Sequence, residues 1–289
     1  MVNNSVGHSH LRQGFSILDK HANVRLQKEP LFNQGKTGDY FAATRLIEQL
    51  WTDEKTEELR QLILPERPPI FFSVPSTSRT NQVPIAYARF LAQQTQDFGA
   101  TFLVGDEHIS SLHTSMMKSL NKGSRMMAPR LYETFRATFF DNLRKHTQNS
   151  SVVLVEDIIT TGASVNTFKR FLEHNGIEVD CIAGIKGDPH LEPAESDLQK
   201  LEKTAHKAGL DMGLDWMALG RELTNSEVQT LWSSYINVQY KNADEQSKLL
   251  MRRQLYYLYA LKVCQRTEVA TKINKLTQLL NRRGEKSYD

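Results

Sequence analysis

The sequence predicts an α/β protein in which a central, mainly parallel sheet is flanked by helices, with an additional α-helical C-terminal region. Residues 152–155 are four consecutive apolar residues, three of them β-branched, as in a strand buried on both faces of a parallel sheet. Strand-like runs alternate with helical patterns between residues 70 and 185. After Pro193 the patterns are helical only.

The composition is typical of a soluble globular protein. The chain has 289 residues, 39% of them hydrophobic, and a formal net charge of +3, so charge alone does not indicate nucleic-acid binding. No apolar run approaches the length that crosses a bilayer, and residues 1–10 lack the apolar segment of a signal peptide. Cys181 and Cys264 form no metal-binding pair. We therefore expect a cytoplasmic protein without a membrane partner.

Residues 1–66 are expected to form an N-terminal arm followed by helices. Residues 1–36 are polar and irregular, which favours a solvated arm over a metal site built on its scattered histidines. A helical pattern begins after Asp39, a residue type preferred at helix N-caps. A second helix is predicted over residues 56–63.

Residues 70–91 are predicted to form a strand, a loop and a helix. Residues 70–74 are apolar enough for a short buried strand, and Pro84 suits the first turn of a helix. The loop between them offers small hydroxyl residues and one arginine, which suit an anion: Ser76, Thr77, Ser78 and Arg79. A plain turn without a ligand is the alternative interpretation.

A third predicted strand, residues 100–104, leads into a long basic loop over residues 105–130. Long loops in compact domains are more often functional lids than idle connections. The basic side chains of this loop are Lys118, Lys122, Arg125 and Arg130. A solvated basic loop is the alternative, and residues 131–143 are predicted to form an amphipathic helix.

Residues 151–176 are the most informative stretch, and they predict a strand, a polar turn and a helix that ends at Gly176. Small and hydroxyl residues at a helix N-terminus suit a phosphate, because backbone N–H groups and the helix dipole attract it. These residues are Thr160, Thr161, Gly162, Ala163 and Ser164. Glu156 and Asp157 follow the apolar run, where ligands of open α/β sheets bind. Since acids repel a phosphate, sugar hydroxyls or a divalent cation are their expected partners, and the stretch predicts a ribose 5-phosphate pocket.

Residues 153–164 resemble the phosphoribosyl pyrophosphate-binding motif of the type I phosphoribosyltransferases. The resemblance implies that Glu156 and Asp157 hold the ribose hydroxyls, and that the turn after them holds the 5-phosphate. It implies that the loop after residue 74 binds pyrophosphate and that the basic loop closes over it. The candidates for stabilising this leaving group are Arg79, Lys118, Lys122 and Arg125. A strand–helix unit with a threonine-rich turn and no ligand is the alternative interpretation.

The same resemblance implies a magnesium-dependent enzyme with a three-part organisation. Residues 67–192 then form the core, and residues 1–66 are candidates for a hood over the nucleobase. Residues 193–289, whose patterns are helical, exceed what a minimal phosphoribosyltransferase needs and are expected to form a helical extension. A further predicted strand, residues 179–185, brings Asp188 to the edge of the sheet that carries the phosphate loops. We expect Mg²⁺ as cofactor, with Asp157 and Asp188 as candidate ligands, although Asp-Pro is also a common start of a turn.

The extension is predicted to contain helices over residues 198–210, 225–235, 246–264 and 268–281. Three interpretations stay open for it: a cover for the core, a homodimer interface, and a surface for nucleic acid through its basic last helix.

The expected function is transfer of phosphoribose from phosphoribosyl pyrophosphate to a nucleobase or related acceptor, with release of pyrophosphate. A ribonucleotide is the alternative ligand. Thr160 stands where the 6-oxopurine enzymes of the family have an aspartate, so the motif is closer to the orotate-type and competence-associated members. The rival functions are a non-catalytic ligand sensor with the same fold, and an accessory protein of DNA or RNA.

Overall fold

The computed structural model describes residues 14–19, 21–63, 66–76, 78–111, 132–136, 138–210 and 212–263. These residues fall into two compact units, the first ending at Leu191 and the second beginning at Glu192. Each unit has a hydrophobic core of its own.

The strands of the first unit form a five-stranded parallel sheet and a separate antiparallel pair within the described residues. In chain order they are β1 (Phe15–Leu18), β2 (Pro69–Ser73), β3 (Thr101–Leu103), β4 (Ile109–Ser111), β5 (Tyr132–Thr134), β6 (Ser151–Ile159) and β7 (Cys181–Gly187). The order across the sheet is β1-β7-β6-β2-β3, and every neighbouring pair is parallel. The antiparallel pair is β4 with β5.

Helices cover both faces of the parallel sheet. They are α1 (Pro30–Lys36), α2 (Tyr40–Leu50), α3 (Asp53–Leu62), α4 (Val83–Gln94), α5 (Gly105–His108), α6 (Phe139–Thr147) and α7 (Ala163–His174). Phe71 and Val155 pack with α2 and α4 in one core cluster. Phe72 and Leu154 pack with α6 and α7 in another. The predicted α/β architecture is therefore confirmed, with β6 in the interior of the sheet.

The described part of the second unit is helical. It contains α8 (Glu195–Lys207), α9 (Trp216–Arg221), α10 (Asn225–Thr230), a π-helix (Leu231–Tyr240) and α11 (Glu245–Val263). Its core includes Trp216, Tyr235 and Leu255. The helix predicted over residues 268–281 lies outside the described residues. Across the described ranges, no helix combines the length and the apolar character needed to cross a membrane.

Several sequence-based predictions of local structure are confirmed. Asp39 caps α2, since its carboxylate accepts a hydrogen bond from the Ala42 amide at 2.9 Å. Gly176 ends α7, and the amides of Gly176 and Ile177 donate to carbonyls of the last helical turn at 2.9 and 3.0 Å. The strands predicted over residues 70–74, 100–104 and 179–185 appear as β2, β3 and β7 with bounds shifted by one or two residues.

Three local predictions differ from the structure in part of their range. The expected solvated arm contains β1 and α1, because Phe15 and Phe32 are buried in the core and β7 pairs with β1. The expected loop over residues 105–130 begins with α5 and β4, and its residues 112–130 lie outside the described ranges. In the expected helix over residues 131–143, Tyr132–Thr134 form strand β5 instead, because pairing with β4 satisfies its backbone and buries Tyr132; the helical part begins only at Phe139, as α6.

Candidate functional site

The strand order reverses between β2 and β6, which are neighbours in the sheet. From β2 the chain crosses to β3 on one side, and from β6 it crosses to β7 on the other. The connecting helices α4 and α7 lie on opposite faces, because they belong to different core clusters. A crevice at the carboxyl ends of two such strands is where open α/β sheets bind ligands. The predicted anion loop follows the carboxyl end of β2 and the predicted phosphate turn follows the carboxyl end of β6, so both belong to this side of the sheet.

Glu156 and Asp157 lie inside β6 rather than after it, and their environments differ. Asp157 is 4% exposed, whereas Glu156 is partly exposed. One oxygen of Asp157, Oδ2, accepts hydrogen bonds from the Lys36 ammonium and, at 2.7 Å, from the Asn81 side-chain amide. The other oxygen accepts the Ile158 amide at 2.6 Å. Asp157 is therefore a buried ion whose charge is balanced inside the protein.

Lys36 is the last residue of α1, and its side chain extends from there to Asp157. Its position is favoured by the helix dipole, since a cation at a helix C-terminus is stabilised. The backbone of this helix end is fixed to the segment before α4: the Gln82 amide donates to the Gly35 carbonyl at 2.9 Å, and the Thr80 hydroxyl donates to the Lys36 carbonyl at 3.2 Å. A side chain at position 35 would meet Val83 at 2.9 Å, so glycine there permits the close approach.

Asn81 connects the loop after β2 to the acid of β6. Its amide nitrogen binds Asp157, while its oxygen accepts the Val83 amide at 3.2 Å at the start of α4. Asn81 is only 7% exposed, so both polar ends of its side chain are used inside the protein. This contact brings together two segments that lie 76 residues apart in the sequence.

The pKa values of the two acids shift in opposite directions. Burial raises the pKa of Asp157, but the Lys36 charge and the hydrogen bonds from Lys36, Asn81 and Ile158 outweigh burial and hold it below its ordinary value. Burial and the neighbouring Asp157 charge hold the pKa of Glu156 well above its ordinary value, against the opposing charge of Lys36. The surroundings thus favour the ionised form of Asp157 and the protonated form of Glu156.

The turn after β6 leads into the N-terminus of α7. Gly162 is the N-cap residue and has φ +71°, a left-handed conformation that favours glycine. Thr160 is exposed, Thr161 and Ser164 are partly exposed, and Gly162 and Ala163 are buried. The first turn of α7 carries no acidic residue, so its positive end is not offset by a charge of its own. This arrangement suits an anion.

The loop after β2 contacts α5 and the β4–β5 pair. The amide and hydroxyl of Ser76 donate to Asp106 at 2.9 and 3.4 Å. Arg79, with φ +56°, donates to the Ser110 hydroxyl at 3.1 Å, and its guanidinium carbon lies 4.9 Å from the centroid of the Phe135 ring. Ser78 is exposed and accepts a hydrogen bond from Thr80 at 3.1 Å. Among the predicted loop residues, Thr77 lies outside the described part of the chain.

The metal prediction receives no cluster of ligands from the described residues. Among them, no three or more His, Cys, Asp or Glu side chains are grouped as a metal site. Asp188 follows β7, and its carboxylate accepts the His190 amide at 3.0 Å in a local turn. The basic residues predicted to meet the leaving group, Lys118, Lys122 and Arg125, lie outside the described ranges.

Neither comparison with known proteins identifies a relative: no family model matches the sequence, and no curated protein matches it. The function is therefore inferred from the residues and geometry of the site.

Lys36, Asn81 and Asp106 are the residues of the site that the sequence analysis did not identify. Lys36 lies in the stretch predicted as a solvated arm, and Asn81 is the last residue of the predicted polar loop and belongs to no motif. The weak signal for Lys36 was the pattern Pro30 to Lys36, with proline tolerated in a first helical turn and a cation in the last. The structure brings Asp157 together with Lys36 and Asn81, and Ser76 together with Asp106.

Proposed function

We propose that the crevice between β2 and β6 binds a ribose 5-phosphate group, and that the protein transfers phosphoribose from phosphoribosyl pyrophosphate to an acceptor. The observation that carries this proposal is the 2.7 Å hydrogen bond from Asn81 to Asp157. It joins the anion loop after β2 to the acidic pair of β6 at the edge of the sheet where ligands bind. The resemblance of residues 153–164 to the type I phosphoribosyltransferase motif gives the ligand its identity.

The 5-phosphate is assigned to the turn of Thr160 to Ser164. The positive end of α7 and the hydroxyls of this turn supply the attraction, and Gly162 lets the backbone approach the ligand. Since Glu156 and Asp157 lie in the same strand just before the turn, a phosphate held there brings the attached sugar toward the acids.

The ribose hydroxyls are assigned first to Glu156. Residue Glu156 is partly exposed and its carboxylate accepts one backbone hydrogen bond, from the Asp157 amide at 3.2 Å, whereas the Asp157 oxygens accept hydrogen bonds from Lys36, Asn81 and Ile158. A ligand that engages Asp157 as well has to replace one of these donors. In this proposal Asp157 fixes the charge and shape of the site, and Glu156 provides the exchangeable contact.

The reaction is displacement of pyrophosphate at the anomeric carbon. Its transition state has oxocarbenium character while negative charge accumulates on the leaving group, so catalysis comes mainly from positioning and from stabilising that charge. Arg79, a residue of the anion loop whose guanidinium group donates to Ser110, is the cation that we propose to stabilise the charge of the leaving group. Magnesium would neutralise the leaving group through its phosphates. Direct ligation by Asp157 does not fit its present contacts, which leaves Asp188 as the proposed acid.

Calorimetric titration with phosphoribosyl pyrophosphate and Mg²⁺ tests the ligand assignment. Glu156→Gln and Asp157→Asn are each expected to weaken binding about tenfold or more, because the first removes the carboxyl group assigned to the ribose hydroxyls and the second removes the fixed anion beside it. Glu48→Gln, an exposed acid on α2, serves as the control and is expected to bind like the wild type. Equal affinity in all four proteins would contradict the assignment of the acidic pair.

A non-catalytic ligand sensor is the second candidate. The observation that favours it is that the polar groups of Asp157 and Ser76 are already satisfied by Lys36 and Asp106. In such a site, a ligand binds by replacing the internal hydrogen bonds with its own, and no catalytic step is required. Incubation of the protein with phosphoribosyl pyrophosphate and a panel of nucleobases separates the two functions, since the transferase releases pyrophosphate with at least one base and the sensor with none.

A further inference from the structure

The donors of the anion loop after β2 are occupied by an internal carboxylate. The Ser76 amide donates to Asp106 Oδ1 at 2.9 Å, and the Ser76 hydroxyl donates to Asp106 Oδ2 at 3.4 Å. Asp106 lies 30 residues further along the chain, in the first turn of α5. A backbone N–H and a neighbouring hydroxyl are the groups with which loops bind phosphate oxygens. A carboxylate that accepts from both therefore takes the place of an anion.

The position of Asp106 is built by close packing at the start of α5. A Cβ atom at Gly105 would lie 2.2 Å from the Ser73 carbonyl oxygen and 2.9 Å from a ring carbon of Pro75. Glycine is therefore needed for α5 to approach the end of β2. The Gly105 amide also donates to the Ser73 hydroxyl at 3.0 Å. Two contacts of the backbone thus hold α5 where the Asp106 side chain reaches Ser76.

The charge at this place is costly to the protein. Burial raises the pKa of Asp106, although the hydrogen bonds from Ser76 and the nearby Arg79 charge act in the opposite direction. Arg79 contributes attraction from a distance, since its guanidinium group donates to Ser110 and lies against Phe135. A carboxylate that is partly desolvated beside a loop of anion donors is at a disadvantage against a ligand that carries more charge there.

We propose that Asp106 is an internal competitor that sets the affinity of the anion loop: its carboxylate fills the Ser76 donors until the pyrophosphate part of the ligand displaces it. The inference rests on the proposed function for the identity of that anion. It makes Asp106 a determinant of specificity, because a ligand must bring enough negative charge to replace a carboxylate. Anions with less charge then leave the hydrogen bonds between Ser76 and Asp106 in place.

Calorimetric titration with inorganic pyrophosphate tests this inference on the full chain. Asp106→Asn keeps the size of the side chain and removes its charge, and Asp106→Ala removes the acceptors altogether. Both variants are expected to bind pyrophosphate at least about tenfold more tightly than the wild type, because a like charge next to a bound anion is strongly unfavourable. Glu107→Gln is the matched control: Glu107 is exposed and is the next residue of the same helix, and its replacement removes the same charge.

The inference is overturned if both Asp106 variants bind pyrophosphate equally or more weakly, or if Glu107→Gln gains as much as they do. A parallel titration with ribose 5-phosphate, which the turn after β6 is proposed to bind, separates this result from the fate of the proposed function. Binding of ribose 5-phosphate without a gain for pyrophosphate in the Asp106 variants rejects the competitor alone. A gain for pyrophosphate without binding of ribose 5-phosphate supports the competitor and rejects the ribose site.

Discussion

At the scale of single residues, Asp157 illustrates how the donors around a buried carboxylate favour its ionised form at the candidate site. Three donors from three places in the chain contact its two oxygens, and one of them is the ammonium of Lys36. The Lys36 side chain is 35% exposed and that of Asp157 only 6%. Solvent therefore screens the cation partly, while the anion depends on its protein partners.

Replacing Lys36 by methionine is expected to lower the free energy of unfolding by about 1–2 kcal/mol at pH 7, because a buried anion loses its counter-ion while the exposure of Lys36 moderates the cost. The pKa of Asp157 is depressed in the folded protein, so its interactions stabilise the fold above the ordinary aspartate pKa and are lost as pH falls through the folded-state value. The difference between wild type and variant should therefore shrink below about pH 4.

Urea unfolding at several pH values measures that difference, with Lys28→Met as an exposed control. The pKa of Glu156 is raised, so its own contribution has the opposite sign: the folded state gains stability as pH falls through that pKa. A destabilisation that stays constant down to pH 3 would contradict an ionic role for Lys36.

At the scale of elements, the structure shows which local signals were sufficient. The apolar run of β6 and the spacing in α7 predicted both elements, because each is coded by neighbouring residues. β1 was missed because four residues, with only Phe15 and Ile17 fully buried, carry too short a pattern. β5 was mistaken for part of a helix because its three residues depend on pairing with Ile109–Ser111, more than 20 positions away. The Lys36–Asp157 pair spans 121 positions and has no local signature.

The start of α10 gives a prediction for the second unit. Thr224 and Glu227 form a buried capping box, in which the Glu227 amide donates to the Thr224 hydroxyl at 3.2 Å and the Thr224 amide donates to the Glu227 carboxylate at 2.9 Å. Thr224→Ala is expected to lower the free energy of unfolding by about 1–2 kcal/mol. Thr52→Ala, which removes a longer cap of 3.4 Å on the exposed start of α3, should cost less. Thermal denaturation followed by circular dichroism compares the two, and equal losses would contradict the assigned role of burial.

At the scale of the first unit as a whole, the two ends of the parallel strands have different roles. The carboxyl ends of the strands carry the candidate site. At the amino ends of the strands, Arg67 donates hydrogen bonds to the Asp180 carboxylate at 2.9 Å and to the Ser150 carbonyl at 2.7 Å. The Asp180 carboxylate also accepts a hydrogen bond from the Val152 amide at 2.9 Å. These contacts connect the residues that precede β2, β6 and β7. They hold the strand starts together without reaching the crevice.

Arg67→Met is therefore expected to destabilise the protein without changing the affinity of the folded state for phosphoribosyl pyrophosphate. The loss of unfolding free energy should be about 1–3 kcal/mol, because the Asp180 side chain is only 5% exposed and loses its cation. Arg60→Met, which removes an exposed ion pair with Asp97, should cost less than about 1 kcal/mol. Urea unfolding and calorimetric titration on the same samples give both quantities. If Arg67→Met weakened ligand binding as strongly as Glu156→Gln does, the contacts at the amino ends of the strands would influence the candidate site at their carboxyl ends. The separation of a structural end from a binding end would then be wrong.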